Sequence, residues 1–93
     1  MNTFQIKCWN SCKELLEKFS VSFEEPLRVH GKSEDYYVIK FFINENSIEL
    51  FMYVNEAGIM VNENDWSIVE SPDFDSDDEL IDALNKNLSG LLS

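Results

Sequence analysis

YYVIKFFINENSIELFMYV, residues 36–54, decides the fold of this chain. Two runs rich in β-branched and aromatic residues, Tyr36–Ile43 and Ile48–Val54, flank the short polar turn Asn44-Glu-Asn46. Such runs read as strands, and so short a turn joins them as antiparallel neighbours. Both are apolar on both faces. Tyr37, Ile39, Phe41 and Ile43 oppose Tyr36, Val38 and Phe42, while Ile48, Leu50, Met52 and Val54 oppose Phe51 and Tyr53. Strands of this kind sit centrally in a sheet that is covered on both sides, or covered on one and used for binding on the other.

Downstream, Asn55-Glu-Ala-Gly58 reads as a further turn. Ile59–Val61 and Trp66–Val69 read as strands separated by Asn62-Glu-Asn-Asp65. Upstream, Leu27 and Val29 follow Pro26 and suggest a short strand that stops at Gly31. Residues 3–8 alternate, Phe4, Ile6 and Cys8 against Thr3, Gln5 and Lys7, which is the pattern of a half-buried strand. Ser11-Cys-Lys-Glu14 has capping-box spacing, and Cys12, Leu15, Leu16 and Phe19 form a helical stripe behind it. A short helix is therefore expected over about 11–20, and it competes with the strand for Cys8–Asn10. Ser76-Asp-Asp-Glu79 is a second capping box. Leu80, Ile81, Leu84, Leu88 and Leu91 then recur at helical spacing, with Gly90 expected to end or fray the last turn. The expected class is α+β in one domain, residues 1–93. It comprises a single antiparallel sheet of about four to five strands, a short N-terminal helix, and a C-terminal amphipathic helix packed on the sheet.

Charge is distributed unevenly. Residues 1–43 carry six acids and six bases, whereas residues 44–93 carry twelve acids and only Lys86, which accounts for the whole net charge of −11. Seven acids from Glu70 to Asp82 stand with no base among them. Asp77, Asp78 and Glu79 lie where a helix macrodipole favours negative charge, but Glu63, Asp65, Glu70, Asp73 and Asp75 do not. They are either a solubilising fringe or a surface made to meet positive charge. Nucleic acid and anionic membrane are excluded as partners, because both require clustered bases. The N-terminal residues lack the basic and continuous apolar regions of a signal peptide, and no run is long enough to span a bilayer, so a cytoplasmic location is expected.

Chemistry-bearing patterns are few. Cys8 and Cys12 lack the partners of a zinc site and the spacing of a redox motif, so buried reduced thiols are expected. Asp73-x-Asp75-x-Asp77 begins like a calcium loop, but Asp78 replaces the required glycine and Leu84 the bidentate glutamate. His30 is the lone histidine, and neither a phosphate loop nor a nucleophile–base pattern is visible. No enzyme, metal or cofactor is expected. Aromatic residues beside the acids suggest binding instead: Trp66 follows Asp65, and Phe74 lies between Asp73 and Asp75. Trp66 is either an interface anchor or part of the core.

In size, acidity and α+β pattern the chain resembles the small acidic immunity proteins of bacterial toxin systems, of the contact-dependent-inhibition and colicin-nuclease type. The resemblance implies a cytoplasmic monomer that binds and neutralises a basic toxin, a nuclease, by covering its active site or substrate groove. The partner surface would comprise Glu63, Asp65, Trp66, Glu70, Asp73, Phe74, Asp75, Asp77 and Asp78. Phage-encoded inhibitors that mimic nucleic acid, including anti-CRISPR and anti-restriction proteins, share the same physical signature. Small acidic secretion chaperones are a third class.

Overall fold

In the computed structural model, residues 1–63 and 75–93 are described in full, and residues 65–70 as strand backbone. The order is one helix, five strands and a second helix: α1 (Thr3–Lys18), β1 (Leu27–His30), β2 (Asp35–Ile43), β3 (Asn46–Met52), β4 (Glu56–Val61), β5 (Asp65–Glu70) and α2 (Asp77–Leu92). The sheet is an antiparallel meander in chain order, β1-β2-β3-β4-β5. The two runs that flank Asn44–Asn46 pair as expected, with Ile39 opposite Leu50 and Phe41 opposite Ile48.

The N-terminal reading needs correction. Residues 3–8 are helical, not extended, and the helix is sixteen residues long rather than confined to about 11–20. Phe4, Cys8, Cys12 and Leu16 form its buried stripe, at a spacing of four. Positions 4 and 8 satisfy the two-residue and the four-residue period alike. Only Ile6 distinguishes them, and it is exposed. The cap is Asn2, not Ser11. Gln5 N donates to Asn2 Oδ1 at 2.8 Å and Asn2 N donates to Gln5 Oε1 at 2.9 Å, a reciprocal box built from Asn and Gln. Buried Gln5 also donates from Nε2 to the Met52 carbonyl, which ties the helix start to the end of β3.

α2 starts as expected, with Ser76 as N-cap and Glu79 N donating to Ser76 Oγ. Glu79's carboxylate accepts from the Asp75 amide, one residue outside the cap. Gly90 does not end the helix, which runs on to Leu92. Leu80, Ile81, Leu84 and Leu88 are buried. The helices lie side by side and run in the same direction: Lys7 meets Asp78 at 3.7 Å, and Asn85 Nδ2 donates to Ser11 Oγ. They share one core with Ile39, Phe41, Ile48, Leu50, Met52, Ala57 and Ile59. Every one of those strand residues belongs to the same face of the sheet, so both helices cover one side.

Cys8 and Cys12 are free and fully buried in that core. Burial, reinforced at Cys8 by the neighbouring negative charge of Asp77, pushes the Cys8 thiol up to about 12. Burial and Cys8 together push Cys12 up further.

Two hairpin turns carry the same tripeptide, Asn44-Glu45-Asn46 and Asn62-Glu63-Asn64. In both, Asn and Glu adopt left-handed backbone angles, with φ of 48° and 74° at Asn44 and Glu45 and 51° and 63° at Asn62 and Glu63. Asn tolerates this region well, but glutamate does not. Asn62 also laces the two turns together, accepting from Ser47 N and donating to Asn46 Oδ1. Glu45→Gly and Glu63→Gly are each expected to raise stability by roughly 0.5–1 kcal/mol in urea unfolding, as relief of left-handed strain outweighs the added chain entropy. A loss of stability at either position would show that the side chain is held by contacts worth more than the strain.

The β3–β4 turn is tighter than expected. Strand β4 begins at Glu56, Tyr53 N donates to the Glu56 carbonyl at 2.8 Å, and Gly58 lies buried within the strand rather than in a turn.

Candidate functional site

Because both helices pack on one side, the alternate residues of β1 to β4 face away from them. Cross-strand register arranges these residues in rows. Val29 stands opposite Tyr36, with Tyr53 on the far side. Leu27, Val38, Phe51 and Gly58 form a second row, and Lys40, Glu49 and Met60 a third. The backbone ladder extends these rows to Ile68 opposite Gly58 and Trp66 opposite Met60.

Among the described residues of this set, Val38, at 4% exposure, and Gly58 are buried. Phe42 is 72% exposed and Leu27 59%, while Tyr36, Phe51, Tyr53 and Met60 are half-buried. At the centre three rings pack together. Tyr36 and Tyr53 have centroids 4.9 Å apart, Tyr36 and Phe51 6.1 Å, and Phe51 lies nearly parallel to Tyr53 at 6.4 Å. Gly58 stands opposite Phe51 in register. Aromatic groups presented together on a sheet face that neither helix covers are the composition of an interface centre rather than of ordinary surface.

One end of this face opens into a cleft of about 400 Å³. It is lined by Tyr36 and Tyr53, by Gly31 and Glu34 of the β1–β2 turn, by Asn55 of the β3–β4 turn and by Glu56 at the start of β4. The two turns are tied together, since Val54 N donates to Glu34 Oε1 at 3.3 Å. The β1–β2 turn is closed by Gly31 N donating to the Glu34 carbonyl, and a Cβ at position 31 would lie 2.3 Å from that oxygen. Glycine is therefore required there by space. Partial burial raises the Tyr53 hydroxyl above its usual range, and the nearby Tyr36, Glu56 and Glu34 add to the effect.

No family model, curated protein or solved structure matches this chain.

The acids expected to form the partner surface are placed at two ends of the sheet. Glu63 sits exposed in the β4–β5 turn, beside the Asn44–Asn46 turn. Asp75, Asp77 and Asp78 lie beyond the other end of β5, a six-residue strand roughly 20 Å long. Asp75 and Asp78 are exposed and Asp77 half-buried, where α2 begins beside Lys7 and Cys8. This is the same end of the molecule as Glu34, Glu56 and the cleft. The side chains of Asp65, Trp66 and Glu70, and residues Asp73 and Phe74 altogether, lie outside the described residues.

Among the described residues no three His, Cys, Asp or Glu side chains converge as metal ligands, and no helix is long and apolar enough to cross a membrane. His30 Nδ1 lies 3.0 Å from Asp35 Oδ1, and Arg28 binds the other oxygen of the same carboxylate at 2.7 Å. Arg28 and then His30 hold the Asp35 carboxyl below the usual carboxylate range. This exposed trio braces the β1–β2 hairpin.

Proposed function

We propose that this chain is an inhibitor of the toxin-immunity type, which neutralises a basic protein by docking the open face of its sheet on it. The observation that supports this reading is the aromatic face turned away from both helices, half-buried Tyr36, Phe51, Tyr53 and Met60 with exposed Leu27 and Phe42 around them, on a chain of net charge −11. Lys40 is the only base in the rows that form this face, and Glu49 stands opposite it in register. A partner that covers such a surface must supply positive charge around an apolar centre. The exposed acids of α2 add a field that draws it in, while the rings supply the contact that holds it.

The test is surface-resonance kinetics against the product of the gene adjacent to this one, with folding of each variant checked by circular dichroism. Association should slow as salt rises, and slow further at low salt for the combined Asp75→Asn, Asp78→Asn and Asp82→Asn variant. Phe51→Ala should speed dissociation at least about tenfold, as loss of a central aromatic anchor does. An association rate indifferent to salt and to the acids, together with unchanged dissociation in Phe51→Ala, would refute the reading.

A further inference from the structure

We propose that the free edge of β1 pairs with the β1 edge of a second copy of this chain, joining two sheets into one about a twofold axis at Val29. The hydrogen-bond pattern fixes which groups are available. Gly31 N donates to the Glu34 carbonyl, so the bonded pairs alternate onward to Val29–Tyr36 and Leu27–Val38. The backbone N–H and C=O of Arg28 and His30 therefore point away from β2, and among the described residues nothing bonds to them. The side chains are as open as the backbone: Leu27 is 59% exposed, and Arg28 and His30 are exposed too. Free donors and acceptors along a sheet edge are a template for another strand. The two basic side chains do not block this edge, because Asp35 draws both onto its carboxylate, on the helix side of the sheet.

Charge selects a second copy as the occupant. Residues 44–93 hold the whole net charge of −11, whereas residues 1–43 balance to zero. β1 and β5 are opposite edges of the sheet, so pairing through β1 joins the neutral halves and keeps the acidic ones apart. Arg28 and Lys32 beside this edge disfavour a strand from a basic protein. The register follows from the sequence. Centring on Val29 sets Arg28 against His30 of the second copy, and His30 against its Arg28, with four backbone hydrogen bonds. A register centred on Arg28 brings in Pro26, which has no N–H, and one centred on His30 brings in Lys32 of the β1–β2 turn. In the Val29 register, exposed Leu27 stands opposite Gly31 of the second copy. A Cβ at position 31 would lie 3.4 Å from the Tyr36 ring, so Leu27 gains an apolar neighbour there. The pairing uses the edge and not the aromatic face, and it is independent of the inhibitor reading.

So short an edge buries far less than a standard interface, and a dissociation constant on the order of 1 mM is expected. The test is sedimentation equilibrium and nitrogen-15 amide spectra of the whole chain between roughly 0.05 and 2 mM. Apparent mass should rise from one copy towards two, and concentration-dependent amide shifts should centre on Leu27–Gly31. Added salt should tighten the association, since it screens the repulsion between two chains of charge −11. His30→Pro removes the outward N–H while the Val29 and Gly31 bonds to β2 remain, and it should weaken association at least about tenfold. Leu27→Lys, at an exposed position, should weaken it at least about fivefold. Circular dichroism checks that each variant is folded, and Leu27→Lys decides alone if His30→Pro is not. A mass that stays at one copy up to about 2 mM would overturn the proposal. So would shifts centred on Phe51 or on β5, association that weakens with salt, or association that a folded edge variant leaves unchanged.

Discussion

Leu84→Ala is expected to lower unfolding free energy by about 2–5 kcal/mol in urea, a large share of what a domain this size possesses. Leu84 is fully buried, and the shared core places it among residues of α1 and the inner sheet face. Truncation removes apolar contact and leaves a cavity that backbones on three sides cannot collapse to fill. Asp82→Ala, two residues earlier on the exposed face of the same helix, should change stability by no more than about 0.5 kcal/mol. A Leu84 loss as small as that of Asp82 would mean that α2 does not close the core.

Alkaline conditions should destabilise the fold by a comparable amount through the two cysteines. An unfolded thiol ionises near 9.0, whereas the folded Cys8 thiol keeps its proton up to about 12 and Cys12 holds its own still longer. Below the unfolded value both states are protonated and pH has no effect through these groups. Above it the unfolded chain has released protons that the native chain retains, so stability falls with rising pH. The slope is about 1.4 kcal/mol per pH unit per thiol, and the pair together lose about 4 kcal/mol between pH 7 and pH 10.5. Tyr53, raised in the same direction, adds to the slope above pH 10. Urea midpoints measured from pH 7 to 10.5 test this, with Cys8→Ala/Cys12→Ala as the control whose slope should flatten. An equal slope in the control would place the alkaline sensitivity elsewhere. At neutral pH a thiol reagent should label wild-type protein only as fast as it opens.

The sheet was legible because its strands announce themselves locally. Tyr36–Ile43 and Ile48–Val54 have no helical period, and the Asn-Glu turns between strands leave few ways to connect them. The N-terminus was not, because Phe4 and Cys8 fit both periods and the cap is Asn2 with Gln5 rather than the more familiar serine with glutamate. That error mattered for the site. A short first helix leaves open which sheet face is covered, whereas one starting at Thr3 buries Phe4, Cys8, Cys12 and Leu16 in the same core as α2. The two-sided apolarity of the central strands already carried the alternative of a covered face and a binding face. Which rings would be exposed depended on both helices choosing one side, a long-range outcome that no local pattern encodes. Gly58 was read as a turn residue for a related reason, since glycine inside a strand and glycine in a loop look alike until register is known. The acids of residues 63–78 were legible as charge but not as geometry. Adjacency in sequence hid the length of strand that separates Glu63 from Asp75.

The meeting of α1 with α2 also sets the order in which the molecule can assemble. Each strand of the meander pairs with its immediate successor, so the hairpins close over short loops and at small entropic expense. The Ser11–Asn85 contact joins residues 74 positions apart. Until the last helix has emerged from the ribosome, the apolar stripe of the first has only half a groove to lie in. The meander should therefore nucleate and the helix pair dock late, which makes Leu84→Ala act chiefly on the rate of unfolding and hardly on the rate of folding.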